Sequence, residues 1–599
     1  MKITPCFYII YCITSFIACL LFNTYFCMEG LEFTNSIWSV VLFVIMVILQ
    51  HHLFKNSINK RRICFSFCFA GVISLFLSLG YTISKSEVIN KSFMWIISVL
   101  IYAYFIGCVV YVAWRFLDNL EGNKESSILE QIISYFFKRK WLYPTIVLLI
   151  CWLLAYIAAF PGNFVYDAEI EYNQLINGFT GDIPLLHSLL TLIPIKISEY
   201  LTGNLIGGVA VVVIAQEIFM AYVLAYMLYT LYNFGVSKVL IACSGLYFAL
   251  FIPIQELSVT LLRDVLFAIL ITYVVTLVTE LILKSKEFLS HKVNLIKISC
   301  AMAFALMSRN NSSEKGFFVI LCGLCALLYA WGRKKFRKQM VHITIMSLLL
   351  YIIVQGTMSF VCKPTNPSGN TTYSSLIQQI AKVANFATLD IEDSETLRKF
   401  FPNGVEYYPG YSDIAKGSIV IADTTEFVEF WKKLGKEYPG LYLTSFLESS
   451  MDVWFPNTVI DAYNRAGIPQ YEGYDKCYLS FGRSSLYQGT GIEERSKFVE
   501  KIYEFYRYIG FFLSFEKVPV VSMIFSIGFQ FWLVVHAFCY LWYRKKYELL
   551  IPVGIVLVYC LINMFVPIVL FRYICALFLC SPFINVLIFN FNMIDKKEE

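Results

Sequence analysis

Three carboxylates fall within five residues at Asp167, Glu169 and Glu171, in the stretch that runs from Phe160-Pro161-Gly162 to Gln174. Pro161-Gly162 ends an apolar run, and the acids then open a short helix. On a helix Asp167 and Glu171 share a face at i,i+4, with Gln174 one turn on, while Glu169 points elsewhere. Carboxylates so spaced can hold one proton above its normal pKa, or let Asp167 and Glu171 bind a divalent cation such as Mg2+ or Mn2+. Either property suits a base that deprotonates an acceptor hydroxyl. The plainer reading, a solvated acidic helix start favoured by the helix dipole, is the one that spacing alone supports best.

The next polar turn, Gly178 to His187, leads into an apolar stretch that ends near Ile197 and is too short to span a bilayer. It predicts a re-entrant or interfacial helix. His187 can orient an acid or contact a phosphate, although a lone histidine at the edge of an apolar stretch is more often hydrogen-bonded structure. Charges at the rims of apolar runs are costly to hold in lipid and mark functional positions. Arg263-Asp264 opens one such run beside Gln255 and Glu256, Arg309-Asn310-Asn311 closes another, and Arg572-Tyr573 lies between the last two. Glu217 follows Gln216 inside a run and needs an interior partner. A set of arginines at one depth can clamp a phosphate bidentately, which puts Arg263, Asp264, Arg309, Asn310, Arg572 and Tyr573 on the substrate-binding side. Local pairing of Arg263 with Asp264 and snorkelling of Arg572 are the bland alternative.

The elements that must position these residues are membrane spans. Of 599 residues 58% are hydrophobic and only 15% charged, well below the quarter usual in soluble domains. Apolar runs are expected at 5–27, 36–54, 63–83, 92–114, 142–160, 205–231, 238–254, 260–283, 293–308, 316–332, 340–361, 518–543, 549–570 and 574–591. The fold expected is an all-α polytopic membrane protein of about fourteen transmembrane helices, its first run a retained span. The basic residues sit in clusters between runs: Lys55 to Arg62, Lys124 to Lys140, Lys284 to Lys292, Arg333 to Lys338, Arg544 to Lys546, and Lys596-Lys597. Counting spans from a cytoplasmic N-terminus puts every cluster inside, as the positive-inside rule requires, and the C-terminus too. The net charge of +6 is therefore no nucleic-acid signal. Of the 18 cysteines most lie within runs, with no metal-ligand spacing; Cys362 and Cys477 fall in polar sequence, where a disulfide is one of two open readings.

Four parts follow. Residues 1–141 form an accessory module of four spans, and 142–361 a membrane core with its acidic outer loop at 161–203. Residues 362–517 form a mostly helical extracytoplasmic cap, and 518–599 supply the last spans. No glycine-rich phosphate loop of either standard form is present.

The order of these motifs resembles the GT-C class of integral-membrane glycosyltransferases, in a bacterial branch with extra N-terminal spans. The likeness covers roughly 142–599 and rests on Phe160-Pro161-Gly162 through Asp167, Pro184 to His187, Arg263 to Phe267, Arg309 to Asn311, and Arg572-Tyr573. It departs where Leu186-His187-Ser188 stands in place of a His-Pro pair. The resemblance implies transfer of a sugar from a polyprenyl-phosphate donor to a glycan or lipid acceptor of the cell envelope, on the outer face of the cell membrane. Asp167 would be the base or a metal ligand beside it, and Arg263, Arg309 and Arg572 would hold the carrier phosphate. A lipid-linked saccharide flippase or other transporter, and a polysaccharide polymerase or ligase, are the rival classes; a transporter would show repeat symmetry and broken midplane helices.

The sidedness is testable by cysteine labelling in intact cells. A cysteine engineered beside Tyr411 is expected to react with an impermeant reagent without permeabilisation. Reaction only after permeabilisation reverses the topology.

Overall fold

The computed structural model describes residues 5–25, 36–55, 59–86, 92–119, 127–164, 167–309, 337–365, 372–409, 412–457, 484–490, 492, 495–512, 518, 520–566 and 568–589. The expected span 316–332, Asn310, Cys477 and the basic positions 124, 333–335, 596 and 597 lie outside them. No strand occurs among the described residues, and the protein is an all-α membrane protein. Among the described residues seven helices are long and apolar enough to cross a membrane, and a bent pair makes an eighth.

The chain opens with α1 (Pro5–Tyr25), α2 (Ile37–Lys55), α3 (Lys60–Ser86), α4 (Phe93–Asp118) and the short α5 (Ser127–Phe136). The pair α3–α4 is pinned to the far end of the chain. Asp118 takes Arg62 at 2.6 Å and Arg544 at 2.5 Å, with the Tyr540 and Tyr543 hydroxyls at 2.9 and 2.8 Å. Two guanidiniums and two phenols on one carboxylate leave none of its lone pairs unmatched, which a charge among apolar helices requires.

The core follows as α6 (Leu142–Ala159), α7 (Asp167–Asn177), α8 (Leu185–Thr202), α9 (Ile206–Asn233), α10 (Lys238–Leu250), α11 (Ile252–Val259), α12 (Arg263–Leu283), α13 (Ser285–Ser290), α14 (Lys292–Met307) and α15 (Arg337–Cys362). Helix α12 lies at the centre, with 83% of its apolar stretch buried, whereas α15 on the periphery buries 11%. Sequence periodicity predicts an unbroken helix over 238–254. Instead the chain bends by 55° between α10 and α11. Pro253 sits in the first turn of α11, where a missing N–H costs nothing, but it could not continue α10. The stretch expected to be re-entrant is α8, which returns along α9 with Leu190, Ile193, Ile197 and Leu201 exposed along one side.

The polar segment carries α16 (Ser374–Phe386), α17 (Ile391–Phe400), α18 (Asp413–Ser418), α19 (Thr424–Glu437), α20 (Pro439–Trp454) and α21 (Lys497–Phe512). Asp390 and Asp423 cap α17 and α19 through their side chains. Phe427, Phe430 and Leu434, on one face of α19, close a separate core with Ile377, Ile380, Phe400 and Phe401. Helix α20 leaves that core: Met451, Val453 and Trp454 join the main one. Helix α21 packs on α6 and α11 through Tyr503 and Tyr506. The last helices are α22 (Val521–Phe525), α23 (Ile527–Tyr543), α24 (Leu550–Asn563) and α25 (Phe571–Phe589), and α25 lies against α12.

The α8–α9 hairpin is close because residue 208 is glycine. A Cβ there would lie 2.4 Å from Ile195 Cα and 2.5 Å from the Pro194 carbonyl oxygen, neither of which can swing away. Gly208→Val is expected to cost about 1–3 kcal/mol, read as a lower thermal midpoint in detergent. Gly245→Ala, whose Cβ would meet its nearest neighbour, Leu228 Cδ1, at 3.7 Å, is the control and should melt like the wild type.

Candidate functional site

Two short segments, residues 161–164 and 259–262, are sewn together before any charged residue is reached. Gly162 turns back on Ala159 at 2.8 Å, and it must be glycine because a Cβ would lie 2.4 Å from Val213 Cγ2 on α9. Asn163 then pairs in parallel with Thr260: its N–H donates to Val259 O at 2.9 Å, and its carbonyl accepts from Leu261 N–H at 3.1 Å. Its side-chain amide donates to Thr260 Oγ1 at 2.9 Å. From the other flank the Gln216 amide donates to Thr260 O at 2.9 Å and Ser258 O at 3.1 Å. Arg495 donates to the carbonyls of Ala158 and Phe160 at the end of α6.

That register brings Asp167, four residues beyond Asn163, against Arg263, three residues beyond Thr260. Arg263 Nη2 lies 3.1 Å from Asp167 Oδ2. Arg572, in the first turn of α25, approaches the same oxygen at 3.4 Å and Asp264 at 3.9 Å. Arg309, two residues past α14, reaches Asp264 Oδ1 at 3.0 Å. Tyr573 completes the cluster: its ring faces Arg309 at 5.3 Å, and its hydroxyl accepts from Arg572 at 3.1 Å. Phe267 flanks Arg309 at 5.7 Å.

The cluster is graded in depth. Side-chain exposure is 0% at Asp264 and 5% at Arg309, then 13% at Arg572, 21% at Arg263 and 23% at Asp167. Three guanidiniums face two carboxylates, a surplus of one positive charge in a poorly hydrated place. Neither Asp264 oxygen makes a hydrogen bond, so charge alone holds it to its arginines. Burial works to raise the Asp167 carboxyl, but Arg572, Arg263 and Arg309, with Lys416 of α18 beyond them, prevail and hold it below the usual carboxylate range.

The other two acids of α7 turn to different partners. Glu171 is buried, accepts the Ser188 hydroxyl at 2.7 Å and meets His187 Nδ1 at 2.8 Å. Glu169 accepts the Ser484 hydroxyl at 2.6 Å and the Ser485 N–H at 3.2 Å. Asp167 and Glu171 therefore share a helix face, as their spacing predicts, without converging on one ion. Among the described residues no group of three or more His, Cys, Asp or Glu side chains is placed to hold a metal. Asn163, Gln216, Thr260 and Ser188 were not singled out from sequence. Their only signal is a polar residue beside or within an apolar run, which they share with many others.

A family of unknown function, DUF6020, matches residues 177–598, a stretch that includes His187, Arg263, Asp264, Arg309, Arg572 and Tyr573 and begins ten residues after Asp167. No curated protein and no solved structure matches the chain.

The Asp167 carboxyl gives the site a pH signature. Its folded value lies below the unfolded value of about 4. Its stabilisation is therefore complete above that unfolded value and is lost as pH falls through the folded one. Asp167→Asn should be less stable than the wild type near neutrality, and the gap in thermal midpoint should close as the buffer is taken below about pH 4. A gap that stays constant on acidification contradicts this.

Proposed function

The chain belongs to the DUF6020 family, and from its site we propose that it transfers a sugar from a polyprenyl-phosphate donor to a cell-envelope acceptor, in the manner of the GT-C enzymes. The observation that carries this reading is the surplus guanidinium charge of Arg263, Arg309 and Arg572 around Asp167 and Asp264 at the end of the central helix. A phosphate oxyanion is the ligand that such a surplus recognises, because each arginine can offer it two aligned N–H groups in place of one unaligned ion pair.

The proposed reaction uses the groups already in contact. The phosphate of the donor takes Arg263 and Arg572 and so releases Asp167, which holds their place in the resting cluster. The acceptor oxygen bonds to the anomeric carbon while the bond from that carbon to the phosphate oxygen breaks. The electron pair stays with the polyprenyl phosphate, and the acceptor proton passes to Asp167. Arg309 and Asp264, the deepest pair, hold Arg572 in line. We place this site on the outer face of the cell membrane, with about fourteen spans. The seven long helices, the bent pair, four shorter apolar helices, α14 and the apolar stretch 316–332 support that number.

A flippase or transporter is the second reading. The broken pair α10–α11 and the carboxyl of Glu217, buried within α9, favour it.

A transfer assay with labelled polyprenyl-phospho-sugars separates them. Asp167→Asn should lower transfer by about 10²–10⁴-fold, the usual contribution of a positioned base, and Glu169→Gln should cost far less. Arg263→Lys and Arg572→Lys should weaken carrier-phosphate binding, because they keep the charge and lose the fork. Undiminished transfer in Asp167→Asn would remove Asp167 as the base, and transport without transfer in the wild type would remove the glycosyltransferase reading.

A further inference from the structure

The face between α7 and α8 carries hydrogen-bonding capacity that the protein does not use. On α7 the residues of one side are Asp167, Glu171 and Gln174, at i, i+4 and i+7. On α8 the matching side holds His187, Ser188 and Thr191. The two helices pack together, and Glu171 joins them through His187 and Ser188. Gln174 lies one turn further from the arginines. It is 4% exposed, yet neither its amide nitrogen nor its amide oxygen has a partner. Thr191, 1% exposed and one turn beyond His187, has an unpartnered hydroxyl as well. A buried polar atom left unmatched costs about 1–3 kcal/mol, so three on two helices that pack together are a costly feature for packing alone to retain.

We propose that this face recognises hydroxyl groups of the transferred sugar, with the Gln174 amide and the Thr191 hydroxyl as the recognising groups. The inference rests on the proposed function and adds to it a specificity site. The chemistry narrows the ligand. An amide offers one donor edge and one acceptor, and a threonine hydroxyl offers both; the group that satisfies both kinds is another hydroxyl. An anion would be repelled by Glu171 and is served better by the arginines, and a cation would lie beside those same arginines. The distance also suits. Asp167 and Gln174 are seven residues apart on one helix face, about 10 Å at the helical rise, which is the reach of a phosphate and the ring it carries. Glu171, braced by His187 and Ser188, lies between the two ends and fixes their spacing. A site built to pair a hydroxyl discriminates strongly against ligands that lack it, because its own groups are then left unmatched.

The test compares carriers with and without a sugar. Full-length protein in detergent is titrated with a short polyprenyl phosphate and with its glucosyl, galactosyl and mannosyl esters, using the wild type, Gln174→Met and Thr191→Val. In the wild type at least one ester should bind about tenfold tighter than the bare phosphate, the worth of one or two net hydrogen bonds. In both variants that advantage should shrink towards unity while affinity for the bare phosphate stays the same. An advantage that survives both substitutions overturns this site and leaves the proposed function standing, as does a wild type that binds bare and glycosylated carriers alike. A wild type that binds neither carrier overturns the proposed function itself. Variants that melt higher but keep the sugar advantage show that internal water alone fills the face, and they also overturn the site. If Gln174→Met does not fold, Thr191→Val carries the same comparison.

Discussion

A helix that breaks inside an apolar bundle exposes backbone N–H and C=O groups that no water is at hand to satisfy. The break between α10 and α11 is met by the Gln255 amide, which donates to Ala249 O at 2.7 Å, and the extended residues from Thr260 to Leu262 after α11 are tolerable because Asn163 and Gln216 meet them from two sides. Everything charged in the site inherits its position from that repair. Asn163 fixes where α7 starts, Thr260 fixes where α12 starts, and the first residue of each helix is one half of the Asp167–Arg263 pair.

The depth gradient then distributes the work. Removing one partner from a buried pair leaves a bare charge, so the fully enclosed Asp264 and Arg309 hold each other in place. Asp167 and Arg263, each about a fifth exposed, can exchange partners at lower cost. Each arginine comes from a different element, so the cluster exists only when α12, α14 and α25 are all packed. The polar segment contributes too, through the field of Lys416 and through α21, whose Tyr506 hydroxyl bonds Gln255 of the broken pair at 2.6 Å.

Much of this was legible in the residues because charge is expensive among apolar helices. Arg263, Asp264, Arg309, Arg572 and Tyr573 stood out for that reason alone, and the structure gathers them in one cluster with Asp167. The i,i+4 relation of Asp167 and Glu171 was equally readable, since helix geometry is local. What each faces was not, because His187 and Ser188 reach Glu171 only through the tertiary fold of α8 onto α7. Asn163 and Gln216 were beyond reach for a related reason: they bond backbone groups of residues 257–261 that are free only because α11 ends before α12 begins, and the expected run 260–283 counts Thr260 to Leu262 as helix. Counting spans by hydropathy has the same limit, since helices such as α23 and α24 are shorter than the apolar runs that suggested them.

The carboxylate of Asp118 has a bearing on how the molecule is made. Arg62, its nearest partner in sequence, is drawn in as soon as α3 and α4 lie side by side. Its remaining partners arrive very late: Arg544 lies 426 residues further along the chain, with Tyr540 and Tyr543 beside it. Chains emerge from the ribosome N-terminus first, so the opening helices wait in the bilayer with a half-closed latch while nearly the whole protein is synthesised. Arrival of α23 completes it. A chain arrested before Tyr540 would carry α3 and α4 as a loose pair rather than as one wall of the bundle.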